Sequence, residues 1–194
     1  MTIKEPLHFA LRFLQNPRAI GALMPSGRAL ARKMADVVDW EKTRTVLEVG
    51  PGSGALTAEF LPRVQEGCRF FTVEINPDFV AFLESRFAGV EVVHDSVENL
   101  APILEERNLR FADAIISGLP WTIFTREQQD RYLKAIRASL DPGGVFVTYT
   151  YVQGLSLPGG RRFLRELKSN FTYVSRSRPV WANVPPAVFF TCRK

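Results

Sequence analysis

Cysteine and histidine are both scarce in this sequence. Its 194 residues include two of each, and Cys68 and Cys192 are far apart, with no cluster of histidines near either. Disulfide frameworks and zinc sites need several such side chains at characteristic spacings. The sequence therefore predicts no disulfide framework and no metal site, and the cytoplasm is its default compartment.

Long apolar runs and a secretion signal are also absent from the sequence. No stretch approaches the roughly 18 uninterrupted apolar residues that a membrane-spanning helix needs. The first residues lack the basic, apolar and small-residue order of a signal peptide. With 46% apolar and 23% charged residues, the composition is typical of one globular domain with a full core.

Charge is unevenly distributed along the chain. Residues 155–194 hold eight basic side chains against one acidic side chain, and residues 1–40 hold six against three, whereas residues 41–154 have an acidic excess of five. Basic ends on a weakly acidic middle favour an anionic partner, either a phospholipid surface or nucleic acid. A solvated basic face accounts for the same distribution equally well.

From residue 45 onward, short β-branched runs alternate with helical patterns, which is typical of βαβ units and a parallel sheet. Before residue 45 the spacing of apolar residues predicts two helices, at 6–14 and from 26 to about 38. We therefore predict a helical extension over 1–40 and a catalytic domain over 41–194. Strands are predicted at 45–49, 69–74, 90–94, 111–117, 145–152, 171–177 and 188–192, and helices at 56–67, 77–87, 97–107, 125–140 and 159–169.

The segment Glu48-Val49-Gly50-Pro51-Gly52-Ser53-Gly54 lies where the first strand turns into a helix. Its three glycines let the backbone approach a ligand without obstruction by side chains. Such a loop can cradle a dinucleotide pyrophosphate. However, the carboxylate of Glu48 suits the ammonium group of an amino acid better than a phosphate. A dinucleotide site and a purely structural turn are the alternatives.

Two further acidic positions follow later strands. Glu74 ends the second strand, where a carboxylate can accept hydrogen bonds from both ribose hydroxyls of a nucleoside. Asp95 and Ser96 follow the third strand, where they can bind an adenine amino group. Taken singly, Glu74 can be a surface carboxylate and Asp95 a helix cap. With Glu48 they predict one crevice at the carboxyl ends of the strands, where open α/β sheets bind ligands.

This set resembles the class I S-adenosylmethionine-dependent methyltransferases, whose first motif is an acidic residue followed by Gly-x-Gly-x-Gly. The resemblance covers about residues 40–194 and implies an α/β, Rossmann-like fold. That fold has a seven-stranded, mostly parallel sheet with a reversed last strand and helices on both faces. Here the two-helix extension precedes it.

The same resemblance implies S-adenosylmethionine as the cofactor. By this likeness Glu48 and the glycine loop face the methionine portion, Glu74 the ribose and Asp95 the adenine. The residues expected to bind the cofactor are Glu48, Gly50, Gly52, Gly54, Glu74, Asp95, Ser96 and Ser117.

The segment Ser117-Gly118-Leu119-Pro120-Trp121 follows the fourth strand, where this class positions its methyl acceptor. Its Leu-Pro-aromatic order resembles the ribosomal RNA adenine dimethyltransferases, whose loop reads Asn-Leu-Pro-Tyr or similar. In those enzymes the Asn side chain and a carbonyl hold the adenine amine while the aromatic ring stacks on the base. Gly118 stands at the Asn position and removes that hydrogen-bonding group. Trp121 is expected either to line the acceptor pocket or to pack in the core.

A second family is similar over almost the whole length. Residues 16–26, the Gly-Leu-Pro loop and residues 181–187 resemble the bacterial phospholipid N-methyltransferases, which methylate phosphatidylethanolamine to phosphatidylcholine. Their pattern has Asn-Pro-Arg before Pro-Ser or Pro-Thr, and Asn-x-Pro-Pro-Ala near the end. The sequence departs from it at 121–124 and 153–160. No catalytic base is assigned, and the acceptor-pocket candidates are Gly118, Leu119, Pro120, Trp121, Tyr149 and Asn183.

This likeness implies a peripheral enzyme on the inner face of the cell membrane. Its partners are then an anionic phospholipid surface and an amino-phospholipid substrate, with nucleic acid as the alternative. The predicted helix at 6–14 sets leucines and phenylalanines beside basic residues and can insert shallowly into anionic lipid. It can also pack over the sheet or the cofactor site. Arg161, Arg162 and Arg165 are expected to add phosphate contacts.

Overall fold

The computed structural model of the chain describes residues 25–194, apart from the side chains of Pro25 and Ser26. In this range helices and strands alternate from residue 45 onward, as the sequence predicts. The six helices are α1 (Pro25–Ala35), α2 (Thr57–Phe60), α3 (Pro77–Arg86), α4 (Leu100–Glu105), α5 (Arg126–Ser139) and α6 (Pro158–Asn170). The seven strands are β1 (Thr45–Val49), β2 (Arg69–Glu74), β3 (Glu91–His94), β4 (Ala112–Ser117), β5 (Leu140–Tyr151), β6 (Tyr173–Arg176) and β7 (Ala187–Arg193).

All seven strands belong to one sheet in the order β3-β2-β1-β4-β5-β7-β6. Neighbouring strands run parallel, except that β7 is antiparallel to both β5 and β6. The predicted Rossmann-like α/β fold with a reversed last strand is confirmed. The sheet begins with β1. Strands β2 and β3 are added on one side of it and the later strands, from β4, on the other, so the switch point of the topology lies between β1 and β4.

Alternate residues along the central strands face opposite sides of the sheet, as the strand repeat of two requires. Both sides are apolar because helices cover both of them. One core contains Val46, Ala114 and Val147 from the strands with Leu30, Met34 and Phe60 from α1 and α2. The other contains Leu47, Ile115 and Phe146 with Leu133, Ile136 and Phe163 from α5 and α6.

Helix α1 is packed into the first of these cores, with Ala31, Met34 and Ala35 fully buried. Its exposed side is tied to α2 by ion pairs of Arg28 and Arg32 with Glu59. Helix α1, which lies within the predicted extension over 1–40, thus covers one side of the sheet. The predicted helix at 6–14 lies outside the described residues.

Two elements differ from the predicted bounds for identifiable reasons. The helix expected over 56–67 is reduced to α2 and a 3₁₀ turn at Leu61–Arg63, because Pro62 has no amide hydrogen to continue the α-helix. Strand β5 begins at Leu140 rather than Val145. The turn residues 141–144 form an irregularity in its pairing with β4, where Ala112 and Ala114 oppose Leu140 and Val145. Among residues 25–194 no helix is long and apolar enough to cross a membrane.

Candidate cofactor and acceptor site

The carboxyl ends of β1, β2 and β3 bring three acidic residues to one edge of the sheet. Glu48 is the penultimate residue of β1, Glu74 ends β2, and Asp95 follows β3. The backbone amide of Gly50 donates to the carbonyl of Val73 at 2.9 Å, and that of Asp95 donates to Glu74 at 3.1 Å. Parallel pairing thus sets the three acidic positions side by side, in the arrangement expected from the sequence.

The three glycines of the loop after β1 have positive φ angles, of 65° for Gly50, 55° for Gly52 and 74° for Gly54. Their surroundings differ. A Cβ atom at Gly50 would lie 2.6 Å from the side chain of Leu119, and one at Gly54 would overlap the ring of Phe87. A Cβ atom at Gly52 would meet no atom within 4 Å. Gly52 is therefore the glycine beside open space, where a ligand can approach the backbone.

Glu48 is fully buried beneath this loop. Its Oε2 accepts a hydrogen bond of 2.7 Å from the hydroxyl of Thr57, whereas its Oε1 has no partner among the described residues. Burial raises the pKa of Glu48 to about 8, against the opposing hydrogen bond from Thr57 and with a smaller rise from Glu74. Without a ligand the carboxyl group is therefore mostly protonated at neutral pH. A cationic donor at Oε1 would satisfy the unpartnered oxygen and favour the ionised form.

Glu74 is held in place by two backbone amides. Its Oε2 accepts from Gly52 at 3.0 Å and its Oε1 from Asn76 at 2.9 Å. Asn76 in turn caps α3, because its side chain accepts from the amide of Asp78. These contacts fix the carboxylate next to the open side of Gly52.

Asp95 and Ser96 organise the turn after β3. Asp95 Oδ1 accepts from the amide of Ser96 at 2.6 Å and from the side chain of Asn99 at 2.7 Å. Ser96 accepts from the amide of Glu98 and so caps the 3₁₀ turn at Val97–Asn99. The N-cap residue is therefore Ser96 and not Asp95, and Asp95 is partly exposed beside the end of β2.

The loop after β4 crosses directly over the glycine loop. The amide of Gly118 donates to the carbonyl of Val49 at 2.9 Å. A Cβ atom at Gly118 would collide with the carbonyl oxygen of Gly50, and the side chain of Leu119 covers that same residue. This crossing excludes any larger side chain at Gly118 in the observed backbone conformation.

Trp121 is packed in the core, which is the second of the two placements expected from the sequence. Its side chain is 1% exposed and stacks on Phe163, with ring centroids 4.8 Å apart. The indole N–H donates to the hydroxyls of Thr148 at 2.8 Å and Ser117 at 3.3 Å. Because both its ring face and its N–H are occupied, Trp121 anchors the loop.

Ser117, Asn183 and Arg162 likewise have structural contacts that the sequence did not predict. Ser117 is fully buried, and its hydroxyl oxygen also accepts from the amide of Leu119. Its contact with the cofactor stays a prediction. Asn183 is 6% exposed and donates to the carbonyl of Pro185 within its own loop. Arg162, expected to bind phosphate, instead donates to Gln129 and to the carbonyl of Phe124.

Tyr149 retains a position suited to the acceptor. It lies on β5 just beyond the last residue of β4, on the same side of the sheet as Glu48. Its ring packs edge-to-face against Tyr151 at 6.0 Å. Burial, and then the neighbouring Tyr151 and Glu48, raise the pKa of Tyr149, so that its phenol stays neutral at physiological pH.

Comparison with known proteins identifies the family to which the chain belongs. A family model described as a methyltransferase domain matches residues 46–144. An ornithine lipid N-methyltransferase from Singulisphaera acidiphila is 33% identical over 194 residues, which cover 98% of this chain and 97% of that protein. The chain belongs to the methyltransferase domain family. This methyltransferase is an enzyme that uses S-adenosylmethionine as its cofactor.

Other similarities are shorter or confined to the fold. The ribosomal RNA small subunit methyltransferase A of Mycoplasma capricolum is 31% identical over 101 residues, which span 48% of this methyltransferase and 35% of that protein. A TehB-like S-adenosylmethionine-dependent methyltransferase structure from Corynebacterium glutamicum has a TM-score of 0.64 and 14% identity, and the match covers 98% of this chain and 100% of that one.

The described residues fit this cofactor. Gly52 offers open backbone, and the buried Oε1 of Glu48 lacks the cationic donor that an amino-acid ammonium group supplies. Glu74 adds a fixed carboxylate beside Gly52 for ribose hydroxyls. Sequence reasoning missed Thr57, the hydrogen-bonding partner of Glu48. Its signal was a hydroxyl residue between Leu56 and Phe60, on the predicted buried side of the helix.

Proposed function

We propose that this methyltransferase adds methyl groups to the amino nitrogen of a membrane lipid, phosphatidylethanolamine or a related amino-lipid. The observation that carries the proposal is the similarity to an ornithine lipid N-methyltransferase over 98% of the chain. That match also covers 97% of the relative's own length. It supports an amino-lipid as the acceptor, and phosphatidylethanolamine is the finer choice suggested by residues 16–26 and 181–187.

The acceptor loop supports a lipid amine over an RNA base. A ribosomal RNA adenine dimethyltransferase needs an Asn at the position of Gly118, and a side chain there would collide with the carbonyl of Gly50. The aromatic ring that would stack on a base is the buried Trp121. Two of the three groups of that adenine-binding arrangement, the Asn side chain and the stacking ring, are therefore missing from the loop.

S-Adenosylmethionine supplies an electrophilic methyl group on its sulfonium sulfur. The residues that would hold it are Glu48, Gly52 and Glu74. The lipid nitrogen has to be unprotonated, because only a neutral amine has the lone pair that forms the new bond. The neutral phenol of Tyr149, next to Glu48, can orient that amine by a hydrogen bond.

A lipid acceptor also requires the enzyme to work at the bilayer surface. The basic excess of residues 155–194 supports attraction to anionic lipid, and Arg161 and Arg165 are exposed. We therefore propose a peripheral location on the cytoplasmic face of the membrane. A contribution from residues 6–14 is part of this proposal.

The test is a methyl-transfer assay on defined acceptors. Purified full-length protein is incubated with S-adenosylmethionine and detergent micelles of phosphatidylethanolamine, of ornithine lipid, or with ribosomal RNA, and the products are analysed by mass spectrometry. We expect methylated lipid in at least one lipid sample and unmodified RNA. The variant Gly52→Val serves as the control without cofactor binding. Methylation of RNA alone would refute the proposal and favour the nucleic-acid alternative.

A further inference from the structure

We propose that the loop between β6 and β7 docks this methyltransferase on a bilayer that contains anionic phospholipid. This docking loop, residues 177–186, displays Trp181 and Val184 with 71% and 64% of their side-chain surface exposed. The inference rests on the proposed lipid acceptor and adds to it a specific interaction surface.

The docking loop lies at the same edge of the sheet as the cofactor site. Strand β6 runs in the same direction as β1, because both β5 and β6 are antiparallel to β7. The loop therefore follows a carboxyl end. It is joined to β5 through the pairing of Ala187 with Tyr151 and a hydrogen bond of 2.9 Å from the amide of Val152 to the carbonyl of Pro186. A bilayer under this loop faces the edge that carries Glu48 and Glu74.

Exposed apolar side chains are concentrated at this edge. The described residues include five large hydrophobic side chains that are exposed, and four of them follow the carboxyl ends of β2, β5 or β6. Tyr173, at the start of β6, is the exception at the opposite edge. Single exposed apolar residues are ordinary, but Trp181 and Val184 lie together in one loop at the edge that carries Glu48 and Glu74, which favours contact with an apolar phase. The four are Ile75, Leu157, Trp181 and Val184.

The backbone of the docking loop is fixed by its own hydrogen bonds. The amide of Val180 donates to Ala187 at 2.7 Å, that of Asn183 donates to Val180 at 3.1 Å, and the Asn183 side chain donates to Pro185 at 2.6 Å. Asn183 is thus buried inside the loop while Trp181 and Val184 point outwards. Tryptophan is the side chain most typical of the membrane–water interface, where its ring is apolar and its N–H is hydrated.

Charge complementarity favours an anionic bilayer as the surface that the docking loop contacts. Arg176 and Arg178 shortly precede the apolar pair in the chain and are exposed, and neither takes part in an ion pair within residues 25–194. After Asp141 the sequence contains a single acidic residue, Glu166. A second copy of this chain docked through the same loop would bring like charges together, whereas anionic headgroups attract them.

The natural tryptophan fluorescence can test the docking loop directly. Of the three tryptophans in the chain, Trp40 and Trp121 are 9% and 1% exposed, so a change in polarity at the surface is reported by Trp181. Full-length protein is mixed with vesicles of pure phosphatidylcholine or of equimolar phosphatidylcholine and phosphatidylglycerol. We expect a blue shift of the emission and vesicle co-sedimentation with the anionic vesicles, both reduced by salt.

The deciding variants compare two exposed aromatic positions at opposite edges. We expect Trp181→Ser combined with Val184→Ser to weaken vesicle binding about tenfold or more, the equivalent of about 1.4 kcal/mol. Tyr173→Ser, the matched control, should bind as the natural protein does. Arg176→Gln combined with Arg178→Gln should reduce the preference for anionic vesicles. Thermal unfolding of each variant, which alters only exposed side chains, should be unchanged.

Three outcomes would overturn the proposed docking. They are an unshifted Trp181 emission, equal vesicle binding by the Trp181/Val184 variant and the Tyr173 control, and an emission shift that depends on protein concentration rather than on vesicles. The proposed function is judged separately, by methyl transfer to amino-lipid in detergent micelles. The Trp181/Val184 variant should retain that transfer. If the natural protein lacks it with every amino-lipid, the proposed acceptor fails whatever the vesicles show.

Discussion

The two halves of the carboxyl edge use their side chains differently. In the half formed by β1, β2 and β3, Glu48, Glu74 and Asp95 lie at strand ends around open backbone at Gly52. In the half formed by β4, β5 and β7, the polar and aromatic groups named from the sequence are mostly buried. We propose that the first half binds the cofactor, through groups that the sequence spacing already indicates. The second half is shaped by packing. Its most distinctive feature is the lack of a side chain at Gly118, where the two loops cross.

The largest effect should come from Trp121→Ala, in the second half. Removing a buried ring that stacks on Phe163 and bonds to Thr148 should lower the free energy of unfolding by about 3–5 kcal/mol. Urea unfolding measures this loss. Trp121→Phe keeps most of the packing and should lose less. If Trp121→Ala retained full stability but lost methyl transfer, the ring would belong to the acceptor site and not to the core.

Gly52→Val tests the first half and should weaken S-adenosylhomocysteine binding at least about a hundredfold, or about 2.8 kcal/mol. The added side chain enters the space beside the loop, and the positive φ angle adds strain. Isothermal titration calorimetry measures the affinity. Gly67→Val is the matched control, since Gly67 also has a positive φ and open surroundings but lies in a surface turn. Equal losses in both variants would attribute the effect to backbone strain alone.

Glu48 predicts a pH dependence of stability in the protein without cofactor. The folded protein retains the Glu48 proton up to about pH 8, whereas the unfolded chain releases it near 4.5. The contribution of Glu48 to stability is therefore greatest below 4.5 and is lost as the pH rises towards 8. Relative to Glu48→Gln, the natural protein should lose about 2 kcal/mol between pH 5 and 7. Parallel stability curves for the two proteins would contradict the raised pKa.

The smallest effect is expected from Glu74→Gln, which keeps the shape of the side chain but removes its charge. Cofactor affinity should fall about tenfold, or about 1.4 kcal/mol, because ribose hydroxyls donate more strongly to a carboxylate. Glu84→Gln, an exposed position on α3, is the control for loss of one negative charge. An unchanged affinity for S-adenosylhomocysteine in Glu74→Gln would remove Glu74 from the binding set.

The sequence by itself determined the class of fold and the succession of strands and helices along the chain. It also determined the acidic and glycine positions of the cofactor half. It could do so because parallel strands deliver their carboxyl ends to one edge whatever the details of packing. Pro62 and the irregularity at 141–144 shifted element ends without changing this arrangement.

Only the tertiary structure decided the roles of Trp121, Ser117, Asn183 and Arg162. Each has a side chain that can serve a ligand or the fold, and the choice depends on neighbours distant in sequence. Phe163 and Thr148 enclose Trp121, and Gln129 engages Arg162. The same holds for Gly118, whose lack of a side chain becomes a requirement once the carbonyl of Gly50 crosses it. Burial is a property of the assembled layers, so local spacing does not contain it.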